Sequence, residues 1–314
     1  VRYPDVDGRL GLGVGLDLPW GAPIGFVHTK DRGDAVADRV VRFLEAHAKR
    51  FSHLFVSFQV RNRNRLDARD YFDVYDDLFA RVPPFRARAL HHTALNLGGL
   101  EPYERGRVVD FTNDLVDRYR LAWVNEDLGL WSIHGRPLPY PLPPYLTEAG
   151  LRASVANTAF VQERLRVPLL VEFPGFSAGT SIVVGRMHAF DFFRRVIEDS
   201  DSPATLDVGH LLSYQWLLGQ RGEGLYGDLD RLPLDRCFEI HLSGCQIQGG
   251  RFMDLHHGVL LDEQLELLAR LLPRCPNLRA ITYEDPKFYD DGVLLREAVA
   301  NFERLEETVS RWKA

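Results

Sequence analysis

Short apolar runs that end in an acid or an imidazole, each followed by an amphipathic stretch, recur along this chain. They end at Leu90-His91-His92, Val124-Asn125-Glu126-Asp127, Leu170-Val171-Glu172, Leu206-Asp207, Ile240-His241 and Thr282-Tyr283-Glu284. Strands that alternate with helices imply a parallel sheet. Polar groups gathered at the C-terminal ends of such strands mark the working face of a (β/α)8 TIM barrel. Carboxylates and imidazoles meeting at one mouth are also what a divalent metal needs. The pattern therefore constrains function as well as fold.

Hydrophobic periodicity predicts eight strand–helix units, the number that closes a barrel. The strands fall at 10–16, 54–58, 87–91, 121–124, 168–172, 204–207, 237–241 and 279–284. Helices follow at about 34–49, 70–80, 103–119, 147–164, 186–198, 211–218, 262–272 and 294–312. The chain has 314 residues, and a barrel of this kind takes about 250. No linker, repeat or low-complexity tract divides it, so residues 1–314 read as one α/β domain. Gly11, Gly13 and Gly15 do not have GxGxxG spacing and read as close-packing positions in a barrel strand. Two long loops interrupt the pattern. The first, 128–146, has prolines at 137, 139, 141, 143 and 144 that argue against regular structure, and aromatic residues suited to a pocket wall. The second runs from the seventh strand to about Gly258.

Bulk properties exclude several classes. A net charge of -6 argues against a nucleic-acid binder driven by bulk electrostatics. No apolar run approaches the ~20 residues that span a bilayer, and the first residues lack a signal-peptide pattern. Cys237, Cys245 and Cys275 form no CxxC pair and no disulfide framework. The expectation is a reduced, cytoplasmic enzyme that binds neither nucleic acid nor membrane.

Side-chain alternation sorts the polar residues by face. Thr282 and Glu284 share one face with Ala280, and Glu239 shares one with His241, opposite Phe238 and Ile240. Glu172 goes with Leu170. Asp207 and His210 form a short-range pair, and in an extended segment Asp254 and His256 would project together with His257 turned away. Mixed carboxylate and imidazole ligation suits Fe, Mn or Zn better than Ca, and this many ligands implies roughly two or three ions. Taken singly, each residue is more often a hydrogen-bonded structural group or an arginine partner. The joint position at the ends of several strands is what favours metal. His28, His47, His53 and His134 have no such pairing and read as structural, and His188 and His257 are unassigned.

These residues resemble the multinuclear non-haem iron-dependent oxidative enzymes, a family that includes the catalytic subunit making oxazolone groups in methanobactin biosynthesis. The matching stretches are 124–131, 169–172, 206–210, 239–244, 254–256 and 282–285, with the Pro-rich 138–142 segment and the Thr147-Glu148 helix start. The resemblance implies a xylose-isomerase-like barrel holding two or three irons, which uses O2 to oxidise cysteines or nearby backbone of a ribosomally made peptide. A separate recognition protein often presents that peptide. Ligands implied are His92 or His91, Glu126, Glu172, Asp207, His241, Asp254, His256 and Glu284, and Asp127 and His210 can also bind metal. This chain has Asp127, His210 and Cys245 where the family usually has His, Asn and His. Arg61, Arg63 and Arg65, after the second strand, are candidates to anchor an acidic peptide or substrate carboxylate. Trp131 and Cys245 are candidate substrate contacts. A non-redox isomerase or hydrolase using Mn, Zn or another divalent ion on a sugar or phosphate ester is the alternative. A non-catalytic metal- or peptide-binding barrel ranks below both.

Overall fold

Eight parallel strands close on themselves in a computed structural model that describes residues 1–17, 30–57, 69–101, 105–177 and 181–313. The barrel strands are β1 (Gly11–Asp17), β2 (His53–Ser57), β3 (Ala87–His91), β4 (Trp123–Asp127), β7 (Leu169–Glu172), β8 (Ala204–Asp207), β9 (Cys237–Leu242) and β12 (Ala280–Glu284). Each pairs with its sequence neighbour in the barrel, and β12 pairs with β1 to complete the ring. Helices follow as α1 (Lys30–His47), α2 (Arg69–Arg81), α3 (Arg105–Tyr119), α4 (Glu148–Arg164), α5 (Ala189–Asp199), α6 (Val208–Leu217), α7 (Asp262–Leu271) and α8 (Arg296–Lys313). Thr147 starts α4 by accepting the Gly150 N–H at 3.1 Å, and Asp207 starts α6 by accepting the His210 N–H at 2.7 Å. None of the described helices is long and apolar enough to cross a membrane.

The two long loops are more regular than their sequence suggests. Residues 130–142 form an antiparallel hairpin of β5 (Leu130–Ile133) and β6 (Arg136–Leu142). Its two-residue turn, His134-Gly135, has positive φ at both positions (49° and 69°), the type I′ geometry that matches strand twist. Ile133 opposite Arg136 carries the ladder bonds, so the Pro137 nitrogen faces away from β5 and its missing N–H costs nothing. A bulge between Leu130 and Ser132 accommodates the change of register further along. The second loop contains the hairpin β10 (Cys245–Gln248) and β11 (Arg251–Asp254), turned by Gly249-Gly250 with φ of 56° and 75°.

Inside the barrel, Leu10, Phe55, Ala87, Ala89, Trp123, Leu170, Phe238 and Ala280 pack as a separate apolar plug. The larger core lies between strands and helices. Phe238 therefore faces inward together with Glu239, against strict alternation. The cause is a register shift: Ala204 pairs with Cys237 while the next residue, Thr205, pairs with Glu239. Gly13 and Gly15 are close-packing positions, because a Cβ on them would sit 2.2 Å from the His53 ring and 2.1 Å from the Phe55 ring. His53 is the structural group expected, buried with Nε2 2.9 Å from Thr282 Oγ1 and Nδ1 2.9 Å from Ser52 Oγ.

Gly13→Ala should destabilise the fold by about 1–3 kcal/mol, because the bonded His53 ring cannot yield without losing partners. Urea denaturation reads this directly. An unchanged midpoint would show that the lumen is looser than described.

Candidate metal centre

The C-terminal ends of six barrel strands deliver their polar side chains into one mouth, where the ligand atoms form three overlapping groups. His91, Glu172, His241 and Glu284 make the first, Asp127, Glu172 and His210 the second, and Asp207, His210 and Asp254 the third. Within each group the candidate ligand atoms lie within 4.8 Å of one another. Glu172 belongs to two groups, so adjacent cation positions would share its carboxylate, while His210 also falls in two groups but has one lone pair to offer.

The contacts are close. His91 Nε2 is 3.0 Å from Glu172 Oε2. His241 Nδ1 is 3.1 Å from Glu172 Oε2 and 2.8 Å from Glu284 Oε1. His210 Nδ1–H donates to the Phe173 carbonyl at 2.7 Å, which turns Nε2 toward Asp254 Oδ2 at 3.1 Å. A backbone acceptor that fixes a ring in this way is usual behind a metal-binding imidazole. His256 stands beside these groups, with Nε2 3.6 Å from Asp254 Oδ1 and 3.7 Å from Glu284 Oε2. Its Nδ1 meets Asp285 Oδ2 at 3.3 Å. A left-handed backbone at His256 (φ 48°), not an extended segment, turns this ring back beside Asp254. His257 is turned away, its Nδ1 accepting the Val259 N–H at 3.1 Å.

Two observations test whether this donor set suits a cation. Asp127, Glu172, Asp207, Asp254 and Glu284 are buried or nearly so, yet the only charged partners they have among the described residues are imidazoles. No described arginine or lysine neutralises them. Asp127 Oδ1 and Asp207 Oδ2 are also buried with no hydrogen-bond partner among the described residues, and His241 Nδ1 and Glu284 Oε1, though 2.8 Å apart, are not aligned for a hydrogen bond. Each such orphan costs about 1–3 kcal/mol. Asp207 illustrates the division of labour: Oδ1 caps α6 while Oδ2 is left over. Divalent cations would satisfy all four atoms and the net negative charge together.

Protons do part of that work when no cation is present. Burial disfavours a charged His91, but the Glu172 carboxylate outweighs it and raises the pKa to about 9. His210, His241 and His256 are raised well above the usual histidine range, burial again being overcome by facing carboxylates. Burial, together with neighbouring acids, raises Asp127 to about 7 and Asp207 to about 7. Despite burial, Glu172 and Asp254 are held low, Glu172 by His241 and His91 and Asp254 by His256 and His210.

His92 and Glu126 are not brought to this mouth. His92 follows the last residue of β3 and points to the outer side, with Nδ1 3.2 Å from Glu126 Oε2 and Nε2 2.9 Å from Thr112 Oγ1. His91 occupies the lumen position instead. Glu126 lies between the inward Asn125 and Asp127, and it accepts the N–H groups of Ala94, Leu95 and Asn96 at 3.1, 2.7 and 2.5 Å. It pins the loop whose Asn96 side chain in turn accepts the Trp131 N–H at 2.6 Å. Alternation applied to β4 would have removed Glu126 from the ligand set.

A cavity of about 480 Å³ opens above the centre, lined on one side by His91, Asp127, Glu172, His210, Asp254, His256 and Glu284. Trp131, Tyr140 and Pro141 from the β5–β6 hairpin form part of its wall, and the buried Trp131 indole N–H has no partner among the described residues. Lys287, which the sequence reading passed over, also lines it. Cys245 does not line the cavity. Its buried thiol lies 3.8 Å from Asp254 Oδ1 and against Gly209, where a Cβ would approach the sulfur to 2.6 Å. Burial pushes that thiol well above the usual range. Arg61, Arg63, Arg65 and His28 lie outside the described residues.

Metal uptake must expel the protons held by the imidazoles. Because His91 titrates near 9 in the metal-free protein, affinity should rise with pH up to that region, by about tenfold per unit for each proton displaced. Calorimetric titration with Zn2+ in buffers of different ionisation enthalpy should show net proton release at neutral pH. Binding without proton release would contradict these protonation states.

Comparison with known proteins places the chain among relatives of the same fold. A UPF0276 protein of Anaeromyxobacter sp. (strain Fw109-5) is 28% identical over 218 residues, covering 67% of this chain and 72% of its own. A UPF0276 protein of Paraburkholderia phytofirmans is 29% identical over 192 residues, covering 55% of this chain and 58% of its own. Among solved structures, a xylose isomerase-like TIM barrel protein from Mycobacterium smegmatis in complex with magnesium superposes with a TM-score of 0.55 at 12% identity, covering 97% of this chain and 98% of its own. That likeness establishes the fold. Residues 74–305, well over half the chain, match the model of the RiPP precursor modification enzymes MbnB/TglH/ChrH, and this protein belongs to that family.

Proposed function

We propose that this protein is a multinuclear non-haem iron enzyme that uses O2 to modify a cysteine-bearing precursor peptide, presented by a separate recognition protein. The observation that carries the reading is the sharing of the Glu172 carboxylate between two neighbouring ligand groups. A shared carboxylate suits closely spaced ions, because its two oxygens can bind one ion each, and the mixed O/N set suits iron better than calcium. Iron bound there would supply one-electron redox chemistry with O2.

The protein's own part is to hold, orient and exclude. In this reading His91, Glu172, His241 and Glu284 hold one ion, and Asp127 and Glu172 hold a second. Asp207, His210 and Asp254 hold a third where one is bound, with His256 beside it. The family departures keep donor types in place: the usual His and Asn are here Asp127 and His210, which stand 3.6 Å apart, so the pair keeps an imidazole and gains a carboxylate. Trp131, Tyr140 and Pro141 shield one side of the cavity from water and offer an indole N–H to a peptide carbonyl. Cys245, behind Asp254, serves packing rather than substrate contact. The non-redox alternative, acting on a sugar or phosphate ester, has the barrel and a donor set that also suits Mn or Zn, but the family match is to peptide-modifying enzymes.

Protein purified without oxygen should contain iron and should consume O2 when given its cysteine-bearing peptide. Colourless protein loaded with zinc or magnesium, with turnover of a sugar and no O2 uptake, would overturn the proposal. His241→Ala and Glu284→Ala should each abolish metal loading and leave the circular dichroism spectrum essentially unchanged. Full occupancy in both variants would contradict the ligand assignment.

A further inference from the structure

Glu239 lies one layer below the ligand groups, fully buried in the lumen, and belongs to none of them. Three neutral donors converge on its carboxylate. Trp123 Nε1 and Asn125 Nδ2 each donate to Oε2 at 2.8 Å, and the Thr282 hydroxyl donates to Oε1. Thr205 Oγ1 donates to Asn125 Oδ1 at 3.3 Å, which fixes the Asn125 amide with its nitrogen toward Glu239. Trp123, Asn125 and Thr282 come from strands that also carry metal-facing residues, so the network is built into the barrel wall. This is costly construction for a site that does nothing, because a buried carboxylate needs every one of these bonds.

Two imidazoles also adjoin Glu239: His53, whose Nε2 lies 3.8 Å from Oε1 and bonds the Thr282 hydroxyl, and His241. Nδ1 of the His241 ring faces Glu172 and Glu284, and Nε2 lies 3.3 Å from Glu239 Oε1. A neutral imidazole that ligates through Nδ1 must carry its proton on Nε2. Two groups adjoin Nε2 and pull in opposite directions. Asn125 Nδ2, at 3.0 Å, is a donor and favours the opposite tautomer. Glu239 Oε1 is an acceptor and favours the proton on Nε2. A carboxylate outweighs a neutral amide in this contest, since charge-assisted bonds are roughly twice as strong.

We propose that Glu239 is a positioning residue for the metal centre: by accepting the Nε2–H of His241, it selects the tautomer whose Nδ1 lone pair faces Glu172 and Glu284. The inference rests on the metal-centre reading above and deepens it. Neither the ligand groups nor the family assignment requires it. A carboxylate behind a metal-bound histidine fixes the ring and raises its basicity, and losing such a partner typically costs about 10–100-fold in metal affinity. Gln at this position keeps the volume but turns an NH2 group toward at least one of the converging donors.

The test uses Zn2+ as a diamagnetic probe, with nitrogen–proton correlation spectra of the histidine rings. In the Zn2+-loaded wild-type protein, His241 should carry its proton on Nε2 and its metal on Nδ1. Glu239→Gln should weaken Zn2+ binding about 10–100-fold and redistribute the His241 proton. Metal on Nε2 in the wild type, or unchanged affinity in Glu239→Gln, would overturn the role of Glu239 while leaving the metal centre in place. Wild-type protein that binds neither Zn2+ nor Fe2+ would instead sink the metal-centre reading itself. The wild-type ring spectrum needs no variant and decides the matter even where Glu239→Gln does not fold.

Discussion

Five carboxylates gathered at the mouth of a closed barrel, without a described arginine or lysine to neutralise them, are the constraint on which the rest of this structure depends. Acidic groups are rarely buried unpaired, and the repulsion among Asp127, Glu172, Asp207, Asp254 and Glu284 would oppose closure of the ring. The imidazoles of His91, His210, His241 and His256 are interleaved with them and carry protons in the metal-free state. Folding thus prepares an arrangement in which protons hold the places of cations. Exchange between the two couples metal content to pH and, through mass action, to stability.

Backbone register is what brings these groups together. Parallel pairing puts His241 beside Thr282 and Asp207 beside His241, and it aligns Asp127 with Glu172. The register shift on β9 lets Phe238 join the apolar plug while Glu239 still turns inward beneath His241. Layering follows: apolar residues fill the bottom of the barrel, a hydrogen-bonded tier around Glu239 lies above them, and the ligand groups open onto the cavity. Gly13 makes room for His53 in the hydrogen-bonded tier, and Gly15 for Phe55, whose ring reaches the cavity beside His91 and His241.

Much of this was legible in the sequence because period-two alternation is a strong signal in strands with one polar residue at the end. The eight strands lie within a few residues of their expected positions, and β3 and β8 have the expected bounds. Inward placement of Glu172, His241 and Glu284 follows from the same alternation. Residue type left the choice open where two adjacent residues both had ligand chemistry. His91-His92 and Glu126-Asp127 each place one side chain inside and one outside, and composition alone does not say which. The β9 bulge was invisible for a related reason, since an inserted residue leaves no mark in residue type. Both hairpins were passed over as loops, although Gly249-Gly250 between alternating residues is a hairpin signature. In the other, the proline run masked the turn. Prolines exclude a central strand, but they are compatible with an edge strand whose N–H groups point outward.

The account stands on cations occupying the positions that share Glu172 and the one that His210 faces through Nε2. Anomalous diffraction from crystals grown without oxygen, recorded on both sides of the iron absorption edge, tests this most directly. Peaks within coordination distance of Glu172 and of His210, present above the edge and lost below it, are the expected result. Featureless maps there, with the five carboxylates bonded instead to water or to side chains brought in from other loops, would contradict it.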